Sequence, residues 1–368
     1  LPLWQQIKEQ RGVVAFDLEV TARCNNNCRH CYINIPACSA QARELSLSQI
    51  KSIVDQATDL GALWCLITGG EPLLREDFPD IYVYMKRKGL LISVFTNATL
   101  LTQEHIALFK RYPPREIEVT VYGISQETYE SVTRVRGSFN AFMSGLDLLA
   151  RNKIKVRCKA MALRSNVHEL PQMAAFCRLR TKDYFRFDPF LHLRLDGDEQ
   201  RNAEIKSERL SPQEIVMIEQ ADSERFNILA KNCHALINPD LAHRHCRRIF
   251  HCGVGKSSFS VSCDGKFRLC SSLSHPECVY DLAKGTLMDA WNSLRPRVLA
   301  MESHNENFLE KCHQCPIVNL CYWCPAKAYL ETGSLDEQVE YFCSVAHARK
   351  SMLQGASRNV ITDKLWNS

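Results

Sequence analysis

Nothing in these 368 residues reads as a membrane span, because no run approaches the ~18 uninterrupted apolar residues that a crossing helix needs. The opening stretch LPLWQQIKEQRG lacks the charged-then-apolar layout of a secretory signal, so a cytoplasmic location is expected. An initiator Met is also missing, as in a trimmed chain. Charge of one sign is scarce: 46 Lys and Arg face 41 Asp and Glu, and the net +5 is spread along the chain. That balance describes a solvated surface and argues against nucleic acid as a partner. Internal repeats and low-complexity tracts are absent too. With 45% hydrophobic residues, the chain can build more than one core.

What it has in excess is cysteine. Eighteen in a long chain without a signal peptide point to metal or redox chemistry rather than to a disulfide scaffold. They fall into three tight groups with singletons between. The singletons Cys65 and Cys158 lie in apolar strands and read as core residues, and Cys38 reads as inert.

From Val13 to about Leu193, strand-like and helix-like segments alternate. The apolar runs are VVAFDLEV (13–20), LWCLIT (63–68), LLISVF (90–95), IEVTVY (117–122), VRCKAMAL (156–163) and YFRFDPFLHL (184–193). Between the first two, Ile50, Ile53, Val54, Ala57 and Leu60 share one helical face, with a Ser46/Gln49 capping box before it and Gly61 at its stop. Thr102 can cap a second helix and Ser125 a third. Repeated strand–helix units imply right-handed crossovers, hence an α/β fold: a partial (β/α)6 parallel barrel, open on one side. The expected division is a barrel over 1–195, a charged helical bridge over 196–245, and a Cys-rich cluster domain over 246–368. Within the last, FSVSCDGKFRL reads as a small hairpin, and bound metal would supply much of the stability.

The first cysteine group, Cys24-Asn-Asn-Asn-Cys28-Arg-His-Cys31, follows directly on the first strand. Three thiolates in a short loop can hold three irons of a cubane and leave the fourth open, at the strand end where barrels place their chemistry. Zinc is the competing reading, but it wants a fourth ligand, and His30 sits awkwardly beside Cys31. The C-x3-C-x-Φ-C spacing, with His30 at the usually aromatic Φ, resembles the radical S-adenosylmethionine (SAM) superfamily. So does Gly69-Gly70-Glu71-Pro72 after the second strand, which is similar to the family's GGEP motif.

This resemblance implies a [4Fe–4S] cluster on Cys24, Cys28 and Cys31 and reductive cleavage of SAM to a 5′-deoxyadenosyl radical. It further implies that the glycine carbonyls and the Glu71 carboxylate hold the methionine ammonium. Thr120 is expected near the ribose and carboxylate, Thr96 and Asn97 at the same mouth, and Arg134 or Arg136 on the carboxylate.

The remaining groups are Cys246-x5-Cys252-x12-Gly265-x4-Cys270, then Cys312-x2-Cys315-x5-Cys321-x2-Cys324, then Cys343. Eight cysteines can complete two four-thiolate clusters; structural zinc is the alternative, though zinc-ribbon spacing is not met. The pattern resembles the SPASM domain, departing from it by one residue before Cys324. By that resemblance, auxiliary [4Fe–4S] cluster I takes Cys246, Cys252, Cys270 and Cys324, and cluster II takes Cys312, Cys315, Cys321 and Cys343.

The implied function is oxidative modification of a substrate, foremost a ribosomally made peptide receiving a thioether, C–C or C–O crosslink. Tetrapyrrole side-chain chemistry, as in the haem pathway, is the alternative, and a small carbohydrate is third. Sulfatase maturation is disfavoured because its C-terminal acidic motif is not found. A non-enzymatic Fe–S carrier or zinc-binding interaction protein would leave GGEP beside a three-cysteine site unexplained. An external one-electron reductant of flavodoxin or ferredoxin type is implied. With 23 residues before Cys24, a separate leader-peptide recognition protein or direct binding is expected. No catalytic acid or base stands out.

Overall fold

In the computed structural model, which describes residues 12–39, 43–181, 185–237 and 247–366, six parallel strands lie in sequence order. They are β1 (Ala15–Thr21), β2 (Trp64–Gly69), β3 (Leu91–Thr96), β4 (Glu116–Val121), β5 (Val156–Met161) and β6 (Arg186–Asp188). Each pairs in parallel with the next, the arrangement of a partial (β/α)6 barrel. Strands covered on both faces are rich in Val, Ile and Leu, and Phe16, Leu18, Ile67, Ile92, Val94, Ile117 and Val119 are all buried.

Helices cover the outer face. Helix α1 (Leu47–Asp59) starts at the expected capping box: Ser46 Oγ accepts from Gln49 N, and Gln49 Oε1 accepts from Ser46 N at 2.8 Å. Its face of Ile50, Ile53, Val54 and Ala57 is buried, and Gly61 takes the left-handed φ of 99° that ends it. Helix α2 (Phe78–Arg87) was not anticipated. Its signals are Pro79 in the first turn and the buried set Phe78, Ile81, Tyr82 and Met85 at helical spacing. The helix capped by Thr102, α3 (Gln103–Arg111), is therefore the third, and Ser125 caps α4 (Gln126–Thr133). Helices α5 (Ser138–Arg151) and α6 (Leu170–Arg180) complete the layer.

Beyond β6 the chain is helical, with α7 (Glu199–Ser207), α8 (Pro212–Ala221) and α9 (Ser223–Lys231). The expected hairpin then forms from β7 (Ser258–Val261) and β8 (Lys266–Arg268), turning at Gly265 (φ 80°), and β9 (Val279–Asp281) adds a third strand. It does not stand apart from the barrel. Strand β7 pairs in parallel with β1 in the register Ala15↔Ser258 to Leu18↔Val261, so one nine-stranded sheet runs β9-β8-β7-β1-β2-β3-β4-β5-β6. Phe16 stacks on Phe259 at 5.5 Å, joining the two regions in one core.

Helices α10 (Pro325–Thr332) and α11 (Glu340–Trp366) close the chain. Arg349 of α11 meets Glu219 of α8 in a buried ion pair. Among the described residues, no helix is long and apolar enough to cross a membrane.

Candidate active site and cluster-binding cavities

Cys24, Cys28 and Cys31 border a cavity of about 350 Å3 over the C-terminal strand ends, shared with Gly69, Gly70, Thr96, Asn97 and Thr120. The loop that carries them is tied down at several points. Asn27 N donates to Thr133 O at 2.9 Å, Arg29 Nε to Ser131 O at 2.9 Å, and Arg201 Nη2 to Cys28 O at 2.8 Å. His30, at the Φ position, does an aromatic's packing: it is half-buried with its ring 5.1 Å from Tyr122. Burial, helped by Arg201, lowers its pKa to about 4, so it is neutral.

Burial pushes the Cys24 thiol up to about 12, and burial plus its two neighbouring cysteines pushes Cys28 well above its usual value. Two such thiols ionise together only against positive charge, which an iron cluster brings. Among the described residues no three metal-ligating side chains converge on one ion, whereas these thiols surround a room. The side chain of Asn26, 2% exposed and bordering that room, has no hydrogen-bond partner among the described residues, as expected where a polar group is to be received. The site fits the cluster and SAM.

The two glycines are needed for close backbone approach. A Cβ on Gly69 (φ +125°) would collide with the Thr21 carbonyl, and one on Gly70 with those of Ala22 and Arg23. Gly70 N and Glu71 N instead donate to Thr21 O at 2.7 Å and Arg23 O at 2.8 Å. Pro72 opens a short turn behind them.

Three expected residues stand outside the cavity wall. Glu71 is 0% exposed and lies off the cavity: Oε1 accepts from Thr96 Oγ1 (2.8 Å) and Leu73 N (3.1 Å), and Oε2 accepts from Asn97 N (2.7 Å). Burial still raises its pKa to about 7, against those three bonds. Arg134 and Arg136 are not in the cavity wall either. Arg134, left-handed at the end of α4, spends its guanidinium on Asn27 O (2.7 Å) and Glu204 (3.0 Å), and Arg136 is exposed.

Sequence reading missed the far wall: Glu118 of β4, Lys159 of β5, Asp188 of β6, and His192. The available signal was a charge inside an apolar strand, in IEVTVY and VRCKAMAL. Lys159 Nζ lies 2.9 Å from Glu118 Oε2 and 3.7 Å from the Phe95 ring centre. Burial lowers the Lys159 pKa while Glu118 raises it, and burial holds His192 near 4.

Two further cavities hold the other cysteines. One of about 270 Å3, against the barrel edge, is bordered by Cys252, Cys270 and Cys324 with Asp17 and Phe259; Cys246 lies outside the described residues. The other, of about 230 Å3, is bordered by Cys312, Cys315, Cys321 and Cys343. Cys312 sits in a π-helical turn, Leu309–His313, and burial with the three neighbouring cysteines pushes its thiol up to about 12. None of the described cysteines forms a disulfide, and Cys65 and Cys158 are buried in the core.

Comparison with known proteins follows the same division. The radical SAM superfamily model matches residues 18–177, and the iron-sulfur cluster-binding domain model, SPASM, matches 252–316. An AdoMet-dependent heme synthase of Methanosarcina barkeri is 23% identical, covering 88% of this chain and 94% of its own. The antilisterial bacteriocin subtilosin biosynthesis protein AlbA of Bacillus subtilis is 26% identical, covering 84% of this chain and 66% of its own. Among solved structures, Streptococcus suis SuiB bound to precursor peptide SuiA shares the fold with a TM-score of 0.65 at 14% identity, over 90% of this chain and 76% of that one.

Proposed function

We propose that this chain, which is a radical SAM enzyme with a C-terminal SPASM domain, oxidatively modifies a peptide in the cavity over its strand ends. The observation that carries the reading is the charge of the far wall. Of the described residues there, Lys159 is the cation, already paired with Glu118, while Asp188 adds a further acid and His192 is neutral. A tetrapyrrole would bring several carboxylates needing unpaired cations, and burying them against this wall is unfavourable. A neutral or cationic peptide segment suits it. The likeness to AlbA and to the SuiA-bound SuiB supports the same reading.

Cys24, Cys28 and Cys31 would hold the SAM-binding cluster, with the Gly69 and Gly70 backbone, Thr96, Asn97 and Thr120 around SAM. When bound, that cluster supplies the electron that splits the S–C5′ bond of SAM. The strand-end wall would orient the substrate and keep water away, so that a hydrogen atom would pass from substrate to the 5′-deoxyadenosyl radical, giving 5′-deoxyadenosine and a substrate radical. Oxidation requires one more electron to leave. Cys252, Cys270 and Cys324, with Cys246, and the set Cys312, Cys315, Cys321 and Cys343 would hold its acceptors. A barrel over 1–195, a bridge over 196–245 and a cluster region over 246–368, a cytoplasmic setting, a flavodoxin- or ferredoxin-type reductant and a separate leader-recognition protein belong to the same proposal.

The second reading, tetrapyrrole modification, is favoured by the 94% of the heme synthase that the match spans. The test is to supply the reduced, reconstituted chain and SAM with a Cys- or aromatic-rich precursor peptide encoded beside it, or with an iron porphyrinogen-derived substrate. Loss of hydrogen from the peptide in step with 5′-deoxyadenosine supports the proposal. Turnover of the tetrapyrrole alone overturns it.

A further inference from the structure

We infer that Glu71 is a positioning residue for the cluster ligand Cys24, acting through Asn97, rather than a ligand of SAM. The inference rests on Cys24 being a cluster ligand. Glu71 is sealed beneath the turn that follows β3, and its carboxylate grips that turn twice, at the Thr96 hydroxyl and at the Asn97 N–H. The turn needs the grip. Ala98 is left-handed (φ 63°), a conformation that costs a residue with a Cβ free energy unless its surroundings enforce it. From the other side it is closed by Gly145 of α5, where any Cβ would strike the Ala98 carbonyl.

Held this way, Asn97 is aimed at the cysteine loop. Its Nδ2 donates to Asn25 Oδ1 at 2.9 Å and reaches Cys24 Sγ at 3.8 Å. Its Oδ1 accepts from Thr99 N at 2.9 Å and from Thr99 Oγ1 at 2.6 Å, and Asn25 Nδ2 closes the ring on Thr99 Oγ1 at 2.7 Å. Every side-chain valence of Asn97 is therefore spent on fixing the residues around Cys24. An amide N–H on a ligating sulfur withdraws electron density and favours the reduced cluster, so this contact raises the reduction potential.

The test is a double-mutant cycle on the full, reconstituted chain. It reads the potential of the EPR signal that responds to SAM, together with the SAM dissociation constant by equilibrium dialysis. Asn97→Ala should shift that potential to a more negative value in the wild-type background. In the Glu71→Gln background, where the amide end cannot accept from both donors, the same change should shift it far less. SAM affinity should change little in Glu71→Gln. An equal Asn97→Ala shift in both backgrounds overturns the inference. So does SAM binding weakened about ten- to a hundredfold in Glu71→Gln with an additive cycle, the loss expected of a direct charged contact. Should Glu71→Gln not fold, Asn97→Ala alone suffices, because an unchanged potential in it overturns the inference. A wild-type chain with no SAM-responsive signal would overturn the cluster reading itself.

Discussion

The loop of Cys24, Cys28 and Cys31 and the segment of Cys312, Cys315, Cys321 and Cys343 hold thiols by opposite means. The first hangs from β1 and is bonded to the end of α4, to the GGEP turn and to α7. The second begins inside one π-helical turn and continues through a three-residue turn, Val318–Leu320, and among the described residues no strand falls between Cys312 and Cys343 in the chain. Cys270 stands between the two cases: it lies two residues past β8, on a hairpin that the barrel's own first strand holds in place. Support thus falls with distance from the sheet, and dependence on bound metal should rise with it.

The largest effect that would break this comparison is on chemistry. Replacing Cys24, Cys28 and Cys31 together by Ala should abolish 5′-deoxyadenosine formation while hydrogen exchange in β1 to β5 stays as protected as before. Global unfolding of that variant would show that the barrel leans on its metal as well. Next comes Cys270→Ala. Checked first for solubility and secondary structure, it should still release 5′-deoxyadenosine yet yield little or no modified substrate. Product at the normal rate would reduce the cavity beside β1 to a structural one. A folded variant that cannot cleave SAM would instead make that site a relay inward.

Two stability changes sharpen the contrast further. Arg349→Ala removes the Nε to Oε2 bond of 2.8 Å and leaves the fully buried Glu219 carboxylate with Arg225, at 2.8 Å, as its cation. A loss of about 1–3 kcal/mol in chemical denaturation is expected, concentrated where α11 packs on α8. Gly70→Ala forces a Cβ into the Ala22 and Arg23 carbonyls, and about 1–3 kcal/mol should go, together with iron from the first site. Full stability in Gly70→Ala would mean that the loop before Cys24 moves freely, against the bonding described above.

How much of this was legible in the sequence depends on how far apart the partners lie. Local signals were readable: the Ser46/Gln49 box, the Gly61 stop, the strand runs and the hairpin at Gly265. Helix α2 carries its pattern too, in Pro79 and the spacing of Phe78, Ile81, Tyr82 and Met85. The pairing of Ser258 with Ala15 joins residues far apart in sequence, and no composition or period encodes it. The placement of Glu71 under the turn after β3 was hidden for the same reason. Its motif points to SAM, while its hydrogen-bond partners sit on the next strand end. The wall of Glu118, Lys159 and Asp188 was written as charges inside apolar strands, a pattern that becomes a site only when three strand ends meet over one cavity.

The smallest expected effect lies on the outside of the barrel, at Arg164. This residue follows β5, and its guanidinium reaches Glu214 at 3.0 Å and Arg209 O at 3.0 Å, tying the barrel to the start of α8. Its side chain is 52% exposed, so the pair works in water and is screened by salt. Glu214 has a second duty, accepting from Ser211 N at 2.7 Å in the capping box. That backbone bond, then the Ser211 hydroxyl, and only after them Arg164, hold its pKa below the usual glutamate range. A depressed carboxylate stabilises the fold above its ordinary value and loses that contribution as pH falls through the depressed one. Arg164→Ala should therefore cost only about 0.2–1 kcal/mol at neutral pH, less at high salt, and nothing once acid has protonated Glu214. Glu214→Ala should cost more than Arg164→Ala, because it removes the cap as well. Equal losses from the two changes in denaturant titrations would mean that the ion pair, and not the cap, fastens the bridge helices to the barrel.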